Sequence, residues 1–376
     1  MLETLKSRFV GDQMKADLLN QIRSGKLIPG NLVLSERKLA ENYRISYLSV
    51  RRAVDDLVRD GVLYRIPRKG TFVAHPPERR RRNFNGQVIG VISNDLHTQF
   101  AATYLDGIER RAAQDRFSMV VCNSRLDSTL ESAHLQHLLE SGVAGVILES
   151  GAPLLQKDLI RLYQTYGVPL VLIDKFCSAV ESDYVGVNNF QTALRAVKYL
   201  ASLGHKRIAH ITSHTSHRQL TSIKERFDGY CQALSDCGLD LVPEYVQELK
   251  EISVHTEMAR LNLHFLGYSA MRVLLELEKR PTAVLLLFDA IACGAYRAIA
   301  EAGLRVPQDI SLIGIDNDAI CDYLKVPLTT MAQPIREIGE TAAGIVIDRL
   351  SHPEEVFQHR ELPTTLIARE SCGYIN

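Results

Sequence analysis

The stretch LSERKLAENYRISYLSVRRAVDDLVRDGVLYRIPRKGTFV, residues 34–73, decides the fold of the N-terminal part of this chain. Ser35 can cap one helix, and Ser46 can cap a second helix after a short turn. In the second helix, apolar residues recur at positions i, i+3, i+4, i+7 and i+8, which places them on one face. They are Val50, Ala53, Val54, Leu57 and Val58. The pattern predicts a helix-turn-helix with one buried and one exposed face.

A short hairpin follows the second helix. Gly61 ends the helix, and strands are predicted over Val62–Ile66 and Thr71–Ala74, joined by a turn that ends at Gly70. Two helices followed by a basic hairpin form a winged helix-turn-helix. In such a module the second helix enters the major groove, which is about 12 Å wide, and its N-terminal side chains reach the base edges.

Residues 10–75 resemble the DNA-binding module of the GntR family in motifs such as Ser35-Glu36-Arg37, Ser49-Val50-Arg51-Arg52-Ala53 and Gly70-Thr71-Phe72-Val73. The resemblance implies that Arg37, Ser49 and Arg51 hold DNA and that the wing around Gly70 enters the minor groove. Leu34 and Tyr47 replace the usual proline and arginine, and the second change removes one familiar guanine contact. The expected DNA-binding residues are Arg37, Ser46, Tyr47, Ser49, Arg51, Arg52, Lys69 and Gly70.

Charge is unevenly distributed along the 376 residues, although the net charge is zero. Residues 1–84 contain 18 Lys and Arg against 9 Asp and Glu, which is +9 and leaves −9 on the rest. A basic head on an acidic body predicts that nucleic acid binds at one end only. The length is enough for two or three domains.

The composition argues against secretion and against a membrane location. Seven cysteines are scattered without metal-type spacing, which favours reduced thiols over a disulfide framework. The N-terminus lacks the apolar core of a signal peptide, and the longest apolar run, Ala283–Phe288, is too short to cross a bilayer. We expect a cytoplasmic protein with no membrane partner.

Residues 76–86 are predicted to be a linker between a winged-helix domain, residues 1–75, and a second domain, residues 87–376. Pro76 and Pro77 stiffen the segment, and the arginines Arg79–Arg82 cannot all be buried. The arginine run is either a solvated spacer, the interpretation we favour, or an extra phosphate contact.

Beyond the linker, short apolar strands alternate with helical segments. This alternation predicts an α/β fold with parallel sheets covered on both faces, and the length suits two lobes. Ligands in such folds bind beyond the carboxyl ends of the strands. The predicted strands are Val88–Ile92, Ser118–Cys122, Val143–Leu148, Leu170–Ile173, Arg207–Ile211, Ala283–Phe288 and Ser311–Ile315.

From about residue 86 to the end, the chain resembles the effector domain of lactose/galactose-type repressors. The motifs include Asp106-Gly107-Ile108-Glu109, Leu203-Gly204-His205-Lys206-Arg207 and Arg305-Val306-Pro307-Gln308-Asp309. The resemblance implies a periplasmic-binding-protein-like architecture, with lobe 1 at about residues 87–188 and 334–360. Lobe 2 would comprise about residues 189–333 and 361–376. A GntR head on such a body resembles the arabinose-repressor type.

The resemblance also implies a cleft that binds a small effector. Arg226 would donate to ligand hydroxyls or a carboxylate, and Asp316 would accept from two hydroxyls. Phe288 stands where the family usually has asparagine, which changes ligand choice. The full set of expected effector-binding residues is Asn94, Gln99, Phe100, Arg226, Phe288, Asp289, Asp316 and Gln333.

No cofactor or metal is predicted. His205, His210, His214 and His217 lie near one another in sequence, but only the last two could share a loop. Phosphate-loop, hydrolase and zinc-protease motifs are absent from the sequence. The two resemblances together imply a homodimeric repressor of a sugar-utilisation operon that is released from DNA by a sugar. The alternatives are a ligand-dependent activator, a regulator that responds to a nucleoside, and a sugar-converting enzyme.

Overall fold

The computed structural model describes residues 11, 13–19, 21–22, 26–28, 30–59, 62–66, 69–74, 87–213, 220–249 and 259–375. The predicted linker lies outside these residues. Contacts divide the chain into two compact units. One contains the N-terminal module with residues 136–143 and 158–168, and the other contains two large sheets. Within the described residues, no helix is long and apolar enough to cross a membrane.

The N-terminal module is a winged helix-turn-helix, as predicted. Its elements are α1, which includes residues 13–19, then α2 (Glu36–Tyr43), α3 (Tyr47–Arg59), β1 (Leu63–Ile66) and β2 (Gly70–Val73). The two strands pair antiparallel, with Leu63 opposite Val73. The apolar face of α3 joins a core built from α1, α2 and the hairpin. Its buried residues include Met14, Leu18, Leu39, Val50, Ala53, Val54, Leu57, Leu63 and Val73.

The first large sheet is entirely parallel, in the order β13-β7-β6-β5-β3-β4. Its strands are β3 (Val88–Ser93), β4 (Ser118–Asn123), β5 (Gly145–Leu148), β6 (Leu170–Ile173), β7 (Asp183–Val187) and β13 (His359–Leu362). Helices α4 (Gln99–Gln114) and α12 (Ile335–Ser351) pack against this sheet, and α5 (Ser128–Ser141) and α6 (Lys157–Thr165) follow β4 and β5 in the chain. Every residue of β5 and β6 is buried, which explains their continuous apolar sequences.

The second large sheet has the order β14-β12-β11-β10-β8-β9, and only β14 runs antiparallel to its neighbour. Its strands are β8 (Ile208–Ser213), β9 (Val246–Leu249), β10 (Ala283–Leu286), β11 (Ser311–Asp316), β12 (Thr329–Ala332) and β14 (Thr365–Ile367). The helices of this half are α7 (Asn189–Ser202), α8 (Thr221–Asp236), α9 (Ala259–Glu276), α10 (Ala292–Glu301) and α11 (Ile320–Tyr323).

The chain passes between the two sheets three times: after β7, between β12 and α12, and between β13 and β14. The predicted two-lobed α/β class is therefore confirmed. One strand was predicted too long, because β10 ends at Leu286 and Asp289 already begins a 3₁₀ turn. Strands β7, β9, β12, β13 and β14 were not predicted, because they have at most five residues and none is a continuous apolar run like β5 and β6.

Glycines allow two pairs of helices to pack very closely. A side chain at Gly107 of α4 would place its Cβ 2.1 Å from the carbonyl oxygen of Arg336 on α12. At Gly229 of α8 the Cβ would lie 2.2 Å from the carbonyl oxygen of Phe190 on α7. Gly107 belongs to one of the motifs shared with the repressors, and close backbone contact between helices is the physical reason for glycine at both positions.

Candidate functional site

Hydroxyl caps shape the helix-turn-helix. The Ser35 side chain accepts a hydrogen bond from the Lys38 backbone N–H at 3.4 Å, and Arg44 ends α2 in the left-handed conformation with φ 52°. Ser46 Oγ then accepts from the Ser49 N–H at 3.2 Å and lies 2.8 Å from Ser49 Oγ. The two serines expected at DNA thus bond to each other, and they set the start of α3.

The outer face of α3 is basic and partly apolar. Arg51 and Arg52 are exposed, as is Arg37 on α2. Tyr47 and Leu48, in the first turn of α3, are 46% and 58% exposed. Ser49 is half-buried, so the cationic side chains and these two large residues dominate the surface that would meet a groove.

The wing is an exposed turn between β1 and β2. Lys69 and Gly70 are exposed, and Gly70 has φ +124°. A Cβ at Gly70 would lie 2.6 Å from Leu32 Cδ1, so the turn needs glycine for both conformation and space. Arg65 of β1 pairs with Glu36 and Asp55, which ties the wing to both helices.

In the body, Asp316 ends β11 where the chain turns sharply. Asp316 and Asn317 are consecutive non-glycine residues with φ 117° and 64°, a conformation that costs free energy and needs support. The turn places the Asp316 carboxylate beside Gln333, whose Nε2 donates to Oδ1 at 2.6 Å. Gln333 lies at the passage from β12 to α12, so the pair sits at a crossing between the lobes.

Arg226 lies behind this carboxylate, and its side chain is 7% exposed. Its Nε donates to Asn189 Oδ1 at 2.8 Å and its Nη1 donates to the Leu287 carbonyl at 2.7 Å. Nη2 lies 4.0 Å from Asp316 Oδ1. Burial raises the pKa of Asp316 well above its usual value, and the Arg226 guanidinium opposes that rise. The guanidinium is thus fixed on two sides and directed toward the aspartate.

A cavity of about 560 Å³ opens at this crossing. Its walls include Gln99, Asp316 and Gln333, three of the residues expected to bind an effector. Gln99 comes from lobe 1, and its Oε1 accepts a hydrogen bond from the Ala319 N–H of lobe 2 at 2.7 Å. The other lining residues are Thr103, Asn317, Pro334, Ile335, Arg336, Glu337 and Glu340.

Asn94 and Phe100 belong to a neighbouring group in lobe 1, centred on the buried carboxylate of Glu149. Glu149 Oε2 accepts from the Asn94 N–H at 3.2 Å, Ser93 Oγ at 3.0 Å and the Tyr104 hydroxyl at 2.8 Å. Phe100 packs edge-on against Tyr104, with ring centroids 5.5 Å apart. Burial raises the pKa of Glu149 to about 7.

Asp289 does not lie at an exposed cleft wall, where the resemblance to the repressors placed it. Asp289 has no exposed surface, and its carboxylate accepts from the Asn317 and Asp318 N–H groups at 2.7 and 3.0 Å. It also accepts from Thr330 Oγ1 and Cys321 Sγ. Phe288 packs against the core of lobe 2. Because the chain enters a 3₁₀ turn after β10, the Asp289 side chain turns inward and supports the Asp316 turn, whereas Phe288 is half-buried and its role at a ligand stays a prediction.

Three further polar residues of this region were not among the expected effector-binding residues. Glu149 follows β5, Lys175 follows β6 next to Asp174, and Asn189 begins α7. Lys175 pairs with Asp174, and both side chains are largely buried. Their position directly after buried strands was the available signal, because that is where ligand-binding groups collect in parallel sheets.

Metal chemistry receives no support from the described part of the chain. No group of three or more His, Cys, Asp and Glu residues there could hold an ion. His205 is used structurally, since its two ring nitrogens lie 3.0 Å from Thr282 Oγ1 and 3.1 Å from the Gly373 carbonyl. His214 and His217 lie outside the described residues.

Two family models match the sequence. Residues 11–73 match "Bacterial regulatory proteins, gntR family", and residues 197–372 match "Periplasmic binding protein-like domain". The first match covers the winged module, and the second covers lobe 2 with the crossings that follow it.

Curated proteins similar to the chain are transcriptional repressors. The ribose operon repressor of Escherichia coli K12 is 32% identical over 287 residues, which is 76% of this chain and 82% of the relative. The repressor CytR of Escherichia coli K12 is 29% identical over 341 residues, 89% of this chain and 95% of the relative.

A similar solved structure is a LacI family transcriptional regulator from Enterococcus faecium with bound ribose. It has a TM-score of 0.65 and 29% identity, and it covers 77% of this chain and all of that chain.

Proposed function

This chain belongs to the bacterial transcriptional repressors with a periplasmic-binding-protein-like effector domain, here joined to a GntR-type head, and we propose that it represses a sugar-utilisation operon. The winged module would hold operator DNA, and a small sugar bound between the lobes would release it. The proposed domains are residues 1–75 and 87–376, with lobe 1 at about residues 87–188 and 334–360 and lobe 2 in the remainder. The linker would keep head and body separable.

The head offers the surface that duplex DNA requires. Arg37, Arg51 and Arg52 are exposed. Their charge can neutralise phosphate, and their N–H groups can donate hydrogen bonds to base edges. The exposed Lys69 and Gly70 on the wing suit the minor groove. We propose a homodimer that binds a pseudopalindromic operator, because two-fold protein symmetry matches two half-sites. We propose that the protein acts in the bacterial cytoplasm, because operator DNA is located there.

The observation that carries the effector proposal is the array of Arg226, Asp316 and Gln333 beside the cavity. Asp316 Oδ1 accepts from Gln333 at 2.6 Å and lies 4.0 Å from the guanidinium, so the carboxylate retains acceptor capacity for ligand hydroxyls. Carboxylate, amide and guanidinium groups together suit a polyol. We propose a pentose of the ribose type, since similar regulators include ribose operon repressors and a structure with bound ribose.

Release would follow from a difference in DNA affinity between two arrangements of the lobes. Hydrogen bonds already join the lobes at Gln99 with Ala319 and at Thr221 with Phe176, over 2.7 and 3.3 Å. A sugar that favours one arrangement shifts the population toward it. A coupling free energy of about 1–3 kcal/mol changes DNA affinity roughly 5–150-fold.

A thermal-shift screen of the full chain over pentoses, hexoses, sugar acids and nucleosides tests the ligand class. Selective binding raises the melting temperature, and we expect the largest rise with ribose or a close relative. Gel shifts on DNA selected by the chain, with and without that ligand, then test release. An increase in DNA affinity on ligand binding would instead support the alternative of a ligand-dependent activator.

A nucleoside is the second candidate. The half-buried ring of Phe100 stands beside Tyr104 at the start of α4, where an aromatic face could contact a base. Adenosine and cytidine in the same screen distinguish the two ligand classes. A larger shift with either nucleoside than with any free sugar would replace the pentose proposal.

A further inference from the structure

The first turn of α3 exposes two large side chains that take no part in the core of the head. Leu48 is 58% exposed and Tyr47 is 46% exposed. The core-facing residues of the same helix, Val50, Ala53 and Val54, are at most 4% exposed. Leu48 therefore presents an apolar surface at the end of the helix that would point into a groove.

The phenol of Tyr47 interacts with the carboxylate of Glu36, which raises the pKa of the phenol. Glu36 also pairs with Arg65, whose other terminal nitrogen pairs with Asp55. The carboxylates of Glu36 and Asp55 thus share one guanidinium within the head. The ring of Tyr47 remains at the surface next to Leu48.

The charge around these two side chains suits DNA. Arg51 and Arg52 follow in the next turn of α3 and are exposed, and Arg37 is exposed on α2. Base edges in the major groove are polar donors and acceptors with one exception, the 5-methyl group of thymine. The N-terminal residues of a recognition helix are those that reach base edges. An exposed leucine at this position is therefore chemically matched to thymine.

We propose that Leu48, flanked by the ring of Tyr47, packs against a thymine methyl group in each operator half-site. The inference rests on the proposed function, because it requires α3 to enter the major groove. Arg51 and Arg52 would supply phosphate and polar base contacts, and Leu48 would make a thymine·adenine pair favourable at one position. The side chain thus determines part of the operator sequence.

The experiment compares thymine with deoxyuridine, which differs only by the methyl group. Duplexes are first selected from a random library with the full chain, and each thymine of a half-site is then replaced in turn. We expect the affinity to fall about fourfold at one position, the effect of one buried methyl group. In Leu48→Ala the same replacement should leave the affinity unchanged. Leu241→Ala, which alters a leucine that is 49% exposed outside the head, should keep the full effect.

The outcomes separate this inference from the proposed function. If the chain selects a duplex and no thymine replacement changes the affinity, the methyl contact is wrong while DNA binding stands. If a thymine effect persists undiminished in folded Leu48→Ala, another side chain reads the methyl group and the assignment to Leu48 is wrong. If no duplex is selected at all, the proposed function itself fails.

Discussion

The carboxylate of Asp289 accepts a hydrogen bond from the backbone N–H of Asn317 over 2.7 Å, and this contact supports the turn that directs Asp316. Asp289 is fully buried, and the neighbouring Gly314 makes room for it, because a Cβ there would lie 1.9 Å from Asp289 Oδ1. The strained conformation of Asp316 and Asn317 is thus maintained by a carboxylate that has no exposed surface.

Replacing Asp289 tests this support. Asp289→Ala removes the acceptor for four donor groups. We therefore expect the free energy of unfolding to fall by about 2–4 kcal/mol and effector affinity to fall at least tenfold. Asp289→Asn keeps one oxygen for the backbone N–H groups and can donate to Thr330 Oγ1, so it should recover most of the affinity. Calorimetry and denaturant unfolding measure both quantities. Equal affinities for wild type and the alanine variant would show that the turn is held by other contacts.

The helix-turn-helix was predictable because its information is local. Each hydroxyl cap and the apolar stripe of α3 depend on residues within one or two turns, and the caps at Ser35 and Ser46 appear as expected. The effector residues depend on side-chain direction after a strand ends. The resemblance to lactose/galactose-type repressors led to Asp316, which lines the cavity, but it could not show that Asp289, after β10, turns into the core. Glu149 was missed because a single acid after a four-residue strand carries no periodic signal.

Arg51 is expected to contribute to DNA binding without affecting the cleft. Arg51→Ala removes an exposed guanidinium from the outer face of α3, so affinity for the selected duplex should fall at least tenfold. Arg59→Ala, at the far end of the same helix, is the matched control and should change affinity little. Gel shifts at two salt concentrations measure the effect. An unchanged affinity in folded Arg51→Ala would place the DNA-binding face elsewhere on the head.

Arg37 should act through phosphate. Arg37→Ala should weaken binding to selected and unrelated duplexes alike, and the slope of log affinity against log salt should flatten by about one unit. Titrations of both duplexes over a range of salt concentrations measure this. A loss confined to the selected duplex would instead indicate a base contact.

Glu149 should make stability depend on pH. Burial raises its pKa from 4.5 to about 7 in the folded chain, so the folded state binds the proton more tightly than the unfolded state. The resulting stability is fully present below about pH 4.5 and is lost as the pH rises through about 7. Glu149→Gln removes this dependence. When the free energy of unfolding is plotted against pH, the difference between wild type and Glu149→Gln should change by up to about 3 kcal/mol between pH 5 and pH 8. Parallel curves would mean that Glu149 stays ionised.

Gln99 is expected to favour the arrangement in which the lobes are bonded to each other. Its Oε1 accepts from the Ala319 N–H at 2.7 Å, and Gln99 is exposed, so the bond contributes modestly. Gln99→Ala should lower effector affinity about threefold to tenfold with little change in melting temperature. Gln99→Glu retains an acceptor at the same reach and should restore most of the affinity. If both variants bind the ligand equally weakly, Gln99 contacts the ligand directly.

Asp316 gives the strongest test of the cleft. A carboxylate that accepts two sugar hydroxyls makes charge-assisted hydrogen bonds worth roughly 1.5–3 kcal/mol each. Asp316→Ala should therefore lower ligand affinity by at least about a hundredfold, since about 1.4 kcal/mol is already tenfold. DNA binding without ligand should survive, because the DNA-binding residues all lie in the winged module. The variant should remain bound to operator DNA at ligand concentrations that release the wild type.

Calorimetry and gel shifts on a single preparation examine both parts of this expectation, with Asp240→Ala as the control for loss of an exposed aspartate in lobe 2. If Asp316→Ala binds the ligand as tightly as the wild type, the array of Arg226, Asp316 and Gln333 is not the ligand site. Loss of both ligand and operator binding in a folded variant would show that the cleft and the head cannot be separated. The proposal that Asp316 binds the effector and takes no part in DNA binding requires weak ligand binding together with unchanged operator binding.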